Sequence, residues 1–243
     1  MAAQQPAPRT ENEYLGEAMP LTEHLRELRD RLIKALIALA VTTAIGAFFA
    51  SQFLAFLVEP LPVKPQSITP TEPIVTYFKV ALILGLVLAM PVIVYQVIAY
   101  LLPALTRREA RYLFILVPAA TILFALGIAF GATIALPAAL RFLAGFGTSF
   151  SEFQPSLDEY VSFITTVLLW LGLGFQTPLI IFFLAKLRIV SYQTLVKNVR
   201  WAVLVVTILA AVITPTPDPF NMMIVAVPLM LLYLFGVLLA RFA

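Results

Sequence analysis

The sequence predicts an all-α integral membrane protein with six transmembrane helices in a curved, proline-kinked bundle. Of its 243 residues, 61% are hydrophobic and only 12% are charged, whereas a soluble domain carries about 25% charged residues. The mean hydropathy is +0.97. Long apolar runs follow one another with short polar connections between them. Lipid is therefore the main solvent of this chain, and little of its mass lies outside the bilayer.

Six apolar runs account for the predicted helices, because a span needs about 20 mostly apolar residues. The fifth run is short, at about 22 Å for 1.5 Å per residue, so it should thin the bilayer or be shielded by its neighbours. In a rival count the last two runs form one re-entrant hairpin, but the intervening "TPTPDPF" suits an interface better than a span. We predict one domain, residues 20–243, with spans at 34–58, 75–102, 112–136, 160–187, 199–213 and 220–240.

The distribution of basic residues predicts the orientation. Thirteen of the 16 lysines and arginines precede the first span, lie in the second-to-third or fourth-to-fifth connection, or follow the last span. The other side has only Lys64, Lys79 and Arg141. Basic residues near span ends favour the cytoplasmic side, so both termini are predicted to be cytoplasmic. Residues 1–19 are polar, acidic and proline-bearing, which is typical of a disordered tail.

The scarcity of reactive side chains excludes several kinds of function. The chain has no cysteine and one histidine, which argues against metal centres and catalytic triads, and we predict no cofactor, no enzymatic activity and no nucleic-acid partner. A secondary transporter should show midplane charges or repeats, and an intramembrane protease needs catalytic groups at depth. A purely structural scaffold stays open on composition alone.

Each predicted kink has a proline inside a span: Pro91, Pro118, Pro178 and Pro228.

Two acids near the predicted headgroup zone are candidate binding residues. In "TEHLRELRDRL" the leucines repeat on one helical stripe, which predicts an amphipathic surface helix leading into the first span. Glu27 of this helix either pairs with Arg31 at i,i+4 or binds a ligand. Glu109 stands among three arginines, and it too is either a local ion-pair partner or a ligand-binding acid. Two such carboxylates would suit a ligand with two guanidiniums.

Two further polar residues have open interpretations. Gln176, in "GLGFQTPLII", is the most central polar side chain of the spans. It either hydrogen-bonds a carbonyl freed by Pro178 or meets a polar partner from another helix. Asp218 lies in "TPTPDPF" and is either a turn or helix-capping aspartate or a residue that faces a partner.

Four stretches follow one another along the chain from about Met19 to Arg241: "PLTEHLRELRDRL", "MPVIVYQVIAYLLPALTRREAR", "LDEYVSF" and "TPTPDPF". Together they resemble the TatC family, the multi-span receptor subunits of the twin-arginine translocase. The resemblance implies that the protein binds twin-arginine signal peptides of folded precursors. It also implies recruitment of single-span TatB-like and TatA-like partners, further copies of the chain in a receptor complex, and transport driven by the proton-motive force.

By motif match the resemblance also implies roles for individual residues. Glu27 and Glu109 would form the twin-arginine patch, with Arg29, Tyr100 and Leu105 belonging to it or lying beside it. Pro60 and Pro91 would shape the scaffold, and the membrane is implied to be a plasma membrane or a thylakoid membrane. The sequence departs from the family pattern at Gln176, where relatives usually have glutamate, and at Asp30, where relatives often have a basic residue.

Overall fold

The protein is helical throughout most of the part that the computed structural model describes, residues 21–59, 64–101, 113–145, 154–186, 188–214 and 219–242. The α-helices are α1 (Leu21–Val58), α2 (Glu72–Leu101), α3 (Leu113–Phe130), α4 (Leu136–Gly145), α5 (Leu157–Gly174), α6 (Thr177–Lys186), α7 (Tyr192–Lys197), α8 (Val199–Ile213) and α9 (Pro219–Ala240). A π-helical turn, Gly131–Ala135, joins α3 to α4. Asn198 alone separates α7 from α8.

The helices confirm the predicted membrane class. Within the described ranges, five helical stretches are long and apolar enough to cross a bilayer. The remaining predicted span, the fifth along the chain, is α8, which has the predicted bounds and is the short one. Helix α1 has 38 residues and is therefore about 57 Å long, well beyond the roughly 30 Å of hydrocarbon. The predicted surface helix and the first span are thus one continuous helix.

Pro178 lies in a helix, as predicted, but not in the interior of a continuous span. The fourth span is interrupted at Phe175 and Gln176, so Pro178 is the second residue of α6. Proline at that position costs no hydrogen bond within the helix, because the first N–H groups of a helix have no intrahelical partner. The Thr177 hydroxyl donates to the Gly174 carbonyl oxygen at 2.6 Å, which leaves that carbonyl satisfied. The other three prolines lie inside helices as predicted: Pro91, Pro118 and Pro228.

Helix α5 lies at the centre of the bundle and packs against α2 and α3. Its side chains at Val161 and Leu171 are fully buried. Helix α1 instead packs mainly on α2, as the two arms of a hairpin. The helices come close at Gly46, where an added Cβ would lie 2.6 Å from the Ala81 carbonyl oxygen. The glycine therefore permits the backbone approach on which the α1–α2 hairpin depends.

Candidate functional site

Glu27 lies on α1, where one oxygen of its carboxylate accepts a hydrogen bond and the other is buried without a partner among the described residues. Its Oε1 accepts a hydrogen bond from Nη2 of Arg31, one turn further along the helix, at 3.3 Å. The predicted i,i+4 pair therefore exists. Its length exceeds the 2.7–2.9 Å that is usual between a guanidinium and a carboxylate, so the pair is weak. Glu27 Oε2 is buried and has no hydrogen-bond partner among the described residues.

Two contacts between α1 and α2 lie on either side of Glu27. One turn before it, the rings of His24 and Tyr100 stack with centroids 4.4 Å apart and an interplanar angle of 21°. One turn after it, Arg31 Nη1 donates to Oε1 of Gln96 at 3.3 Å. The two helices run antiparallel, so these contacts hold their register around the carboxylate.

An open cavity of about 350 Å³ adjoins Glu27. Acidic and basic side chains alternate around it, so no single sign of charge dominates the field there. Nearby, Arg29 and Asp30 form an exposed ion pair at 2.9 Å. The cavity is lined by Glu23, Arg26, Glu27, Asp30, Arg31 and Lys34.

Gln176 lines a second cavity, which is almost wholly apolar and has a volume of about 450 Å³. Its Nε2 donates to the Ala120 carbonyl oxygen on α3 at 2.8 Å. Gln176 thus bonds another helix rather than the carbonyl freed by Pro178, which Thr177 satisfies. Its Oε1 is buried without a partner in the described part of the chain. Apolar side chains from α2, α3, α5 and α6 form the rest of the wall, which we call the apolar groove.

The remaining predicted site residues divide into two groups. Tyr100 is the second-last residue of α2 and lies beside the Glu27 site, and Pro91 lies inside the same helix. The other predicted residues lie outside the described part of the chain: Glu109, Leu105, Pro60 and Asp218. The pairing of two acids in one site therefore stays a prediction. No group of three or more metal-ligating side chains occurs in the described ranges.

Comparison with known proteins identifies the family. The family model "Sec-independent protein translocase protein (TatC)" matches residues 23–228. The chain belongs to the TatC family. A TatC protein of Carboxydothermus hydrogenoformans is 37% identical over 227 residues, covering 92% of this chain and 93% of that protein. A chloroplastic TATC protein of Arabidopsis thaliana is 36% identical, covering 94% of this chain and 68% of the relative.

The TatC fold is also found among solved structures. A crystal structure described as the twin arginine translocase receptor TatC superposes with a TM-score of 0.78 at 32% identity, covering 90% of this chain and 98% of that one. This confirms the resemblance found in the sequence motifs and the all-helical membrane architecture. These relatives are named as translocase proteins, in agreement with the prediction that the chain is not an enzyme.

In this TatC family member, sequence reasoning missed two polar residues that the fold uses. Gln96 accepts a hydrogen bond from Arg31. The signal that could have identified it is its spacing of four residues from Tyr100, which predicts that Gln96 and Tyr100 lie on one face of α2. Glu72, the first residue of α2, is 6% exposed and accepts hydrogen bonds from two chain segments. No periodicity distinguishes such a glutamate from an ordinary acid at a helix start, because its partners are distant in sequence.

Proposed function

We propose that this protein is the receptor subunit of a twin-arginine translocase and that its α1–α2 junction binds the arginine pair of signal peptides on folded precursors. The observation that carries the proposal is the buried, unpartnered Oε2 of Glu27 beside an open cavity. Burying a charged oxygen without a donor is costly. A ligand that brings a donor to this position removes that cost on binding.

Arginine suits the site better than lysine. A guanidinium is planar, is weakly hydrated and presents several donors in a fixed fork, whereas lysine supplies one compact charge. A charge-assisted hydrogen bond to Oε2 contributes about 1.5–3 kcal/mol, or about 10- to 100-fold in affinity. Tyr100 supports the site by its stack with His24. By family resemblance, Glu109 contributes the second carboxylate, with Arg29 and Leu105 in or beside the same patch.

We assign the apolar groove to a single-span TatB-like or TatA-like partner. The groove offers apolar walls and one unsatisfied acceptor, Gln176 Oε1. A membrane helix that carries one hydrogen-bond donor among apolar residues matches this surface, since interhelical hydrogen bonds stabilise packing in lipid. The amide does not titrate, so this contact does not depend on the protonation of residue 176. Pro60 and Asp218 are assigned to the scaffold and to partner-facing loops.

The proposed membrane arrangement follows from the basic residues. Both termini lie on the cytoplasmic side of a plasma membrane, or on the corresponding side of a thylakoid membrane. Residues 1–19 form a tail, and residues 20–243 form one transmembrane domain. Several copies assemble in the receptor complex with the partner proteins, and transport of the folded cargo uses the proton-motive force.

Direct binding tests the proposal. The full-length protein in lipid nanodiscs is titrated with a fluorescent synthetic peptide that carries two adjacent arginines before an apolar segment. We expect Glu27→Gln to weaken binding about 10- to 100-fold, because the amide loses the charge that strengthens the Oε2 hydrogen bond. Glu59→Gln is the matched control, since Glu59 is exposed, directly follows the far end of α1 and undergoes the same change.

A second peptide provides a control on the ligand side. Replacing both arginines of the peptide by lysines should lower its affinity for the wild-type protein. If Glu27→Gln binds the twin-arginine peptide as tightly as the wild type, the assignment of this carboxylate as the arginine-binding group is wrong.

A further inference from the structure

We propose that Gln96 is a positioning residue for signal recognition: it holds Arg31 on one oxygen of Glu27 and so leaves the other oxygen without a partner until the arginine of the signal arrives. This inference rests on the proposed function of Glu27. It concerns what prevents Arg31 from binding both oxygens of Glu27 before a signal peptide arrives.

The sequence places Arg31 where it could fill the Glu27 site itself. Glutamate and arginine at i and i+4 on one helix are neighbours, and a guanidinium often binds a carboxylate with two parallel N–H···O bonds. Arg31 therefore has the chemistry to take both oxygens of Glu27. If it did so, the site would already be filled by a residue of the protein.

The structure has a different arrangement. Nη2 of Arg31 contacts Glu27 Oε1 at 3.3 Å, while Nη1 is directed to Gln96 Oε1, also at 3.3 Å. The guanidinium is rigid and planar, so while Nη1 is directed to Gln96 it cannot join Nη2 in an end-on, two-bond grip on the carboxylate. Gln96 is only 9% exposed, and its helix packs closely on α1. The amide is therefore held firmly enough to define where Arg31 lies.

In the same arrangement Arg31 compensates the charge of Glu27, but the hydrogen bonds that Arg31 makes are weak. Arg31 stays close enough to stabilise the negative charge of Glu27, whose side chain is 22% exposed. Both of its contacts are longer than the 2.7–2.9 Å of a strong charge-assisted bond. An incoming guanidinium that reaches this buried oxygen can therefore form a shorter bond to Oε2 while Arg31 stays on Oε1.

A double-substitution experiment tests this role in the full-length protein in nanodiscs, with the fluorescent twin-arginine peptide as the probe. Gln96→Met removes the acceptor at nearly constant side-chain length and frees Arg31 to grip both oxygens. We expect peptide affinity to fall about five- to 50-fold, within the range that neighbouring residues show when they are coupled. Gln96→Glu keeps an acceptor for Arg31, and its affinity should equal or exceed that of the wild type.

Arg31→Met provides the decisive background. Methionine has no hydrogen-bond donor, so it cannot cover either oxygen of Glu27 whether or not Gln96 is present. We therefore expect Gln96→Met to change peptide affinity less than twofold in the Arg31→Met protein. An equal loss in both backgrounds would mean that Gln96 acts only by packing α2 on α1, and no loss in either would equally overturn the proposal.

Two further measurements keep the outcomes distinct. Glu27→Gln is titrated in parallel. If Glu27→Gln binds the peptide normally, the proposed function itself fails. If Glu27→Gln loses binding while Gln96→Met binds normally, only the role of Gln96 is overturned. If Gln96→Met does not reach the membrane, Gln96→Asn replaces it, because that amide is one methylene shorter and withdraws the acceptor from Arg31. Normal affinity in Gln96→Asn would then overturn the proposal.

Discussion

Replacing Glu72 should loosen the end of the bundle at which α2 and α5 begin. The Glu72 carboxylate accepts four hydrogen bonds: from the Ser156 hydroxyl at 2.8 Å, and from the backbone N–H groups of Asp158 at 2.7 Å, Ile68 at 2.7 Å and Thr69 at 3.2 Å. It therefore joins the segment before α2 to the segment that opens α5.

The magnitude follows from these four bonds. A hydrogen bond to a charged group contributes about 1.5–3 kcal/mol, so the smallest gross loss for Glu72→Leu is about 6 kcal/mol. Ile68 and Thr69 are exposed, and water can partly satisfy their freed N–H groups. We expect a net decrease of about 3–5 kcal/mol in the free energy of unfolding, which for a chain of this size lowers the melting temperature by about 6–20 °C.

The assay is thermal unfolding of the purified protein in detergent, followed by intrinsic fluorescence and by limited proteolysis near residues 64–72. Glu159→Leu is the matched control, because Glu159 lies in the same segment and its side chain is exposed. If Glu72→Leu and Glu159→Leu melt within about 2 °C of each other, the four hydrogen bonds do not carry the stability assigned to them here.

Two other predictions concern packing and orientation. Gly85→Ala should lower the melting temperature by several degrees, because its Cβ would collide with the backbone of Thr43. Gly145→Ala is the control and should be neutral, since a Cβ there meets nothing within 4 Å. Equal melting temperatures for the two variants would contradict the close α1–α2 approach. The chain has no cysteine, so single cysteines report orientation directly. A membrane-impermeant maleimide added to intact cells should label Ser67→Cys, and should label Gln193→Cys only after permeabilisation, whereas the reverse pattern would invert the proposed topology.

The helical membrane architecture was predictable from the sequence, and the structure differs from that prediction mainly at helix breaks. The bounds of α8 agree with the predicted fifth run. The break at Phe175 and Gln176 and the π-helical turn at Gly131–Ala135 were not predicted. Both occur inside continuous apolar runs, where hydropathy is the same for a regular and an interrupted helix.

The candidate site was only partly predictable. Motifs identified Glu27 and Tyr100, and helical spacing identified the Glu27–Arg31 pair. Spacing along one helix says nothing about a second helix, however, so the contact from Arg31 to Gln96, 65 residues away, and the His24–Tyr100 stack were not foreseen. The same limitation hid Glu72, whose donors include residues more than 80 positions distant.

The sequence by itself determined that this chain is a helical membrane protein of the TatC type, because apolar runs of this length satisfy their backbone hydrogen bonds in a bilayer by forming helices, and because the motif residues are local in the chain. Only the tertiary structure decided which oxygen of Glu27 is left without a partner and which side chain prevents Arg31 from covering it. The reason is physical: those contacts depend on the crossing and register of α1 and α2, and close glycine packing between distant segments sets both.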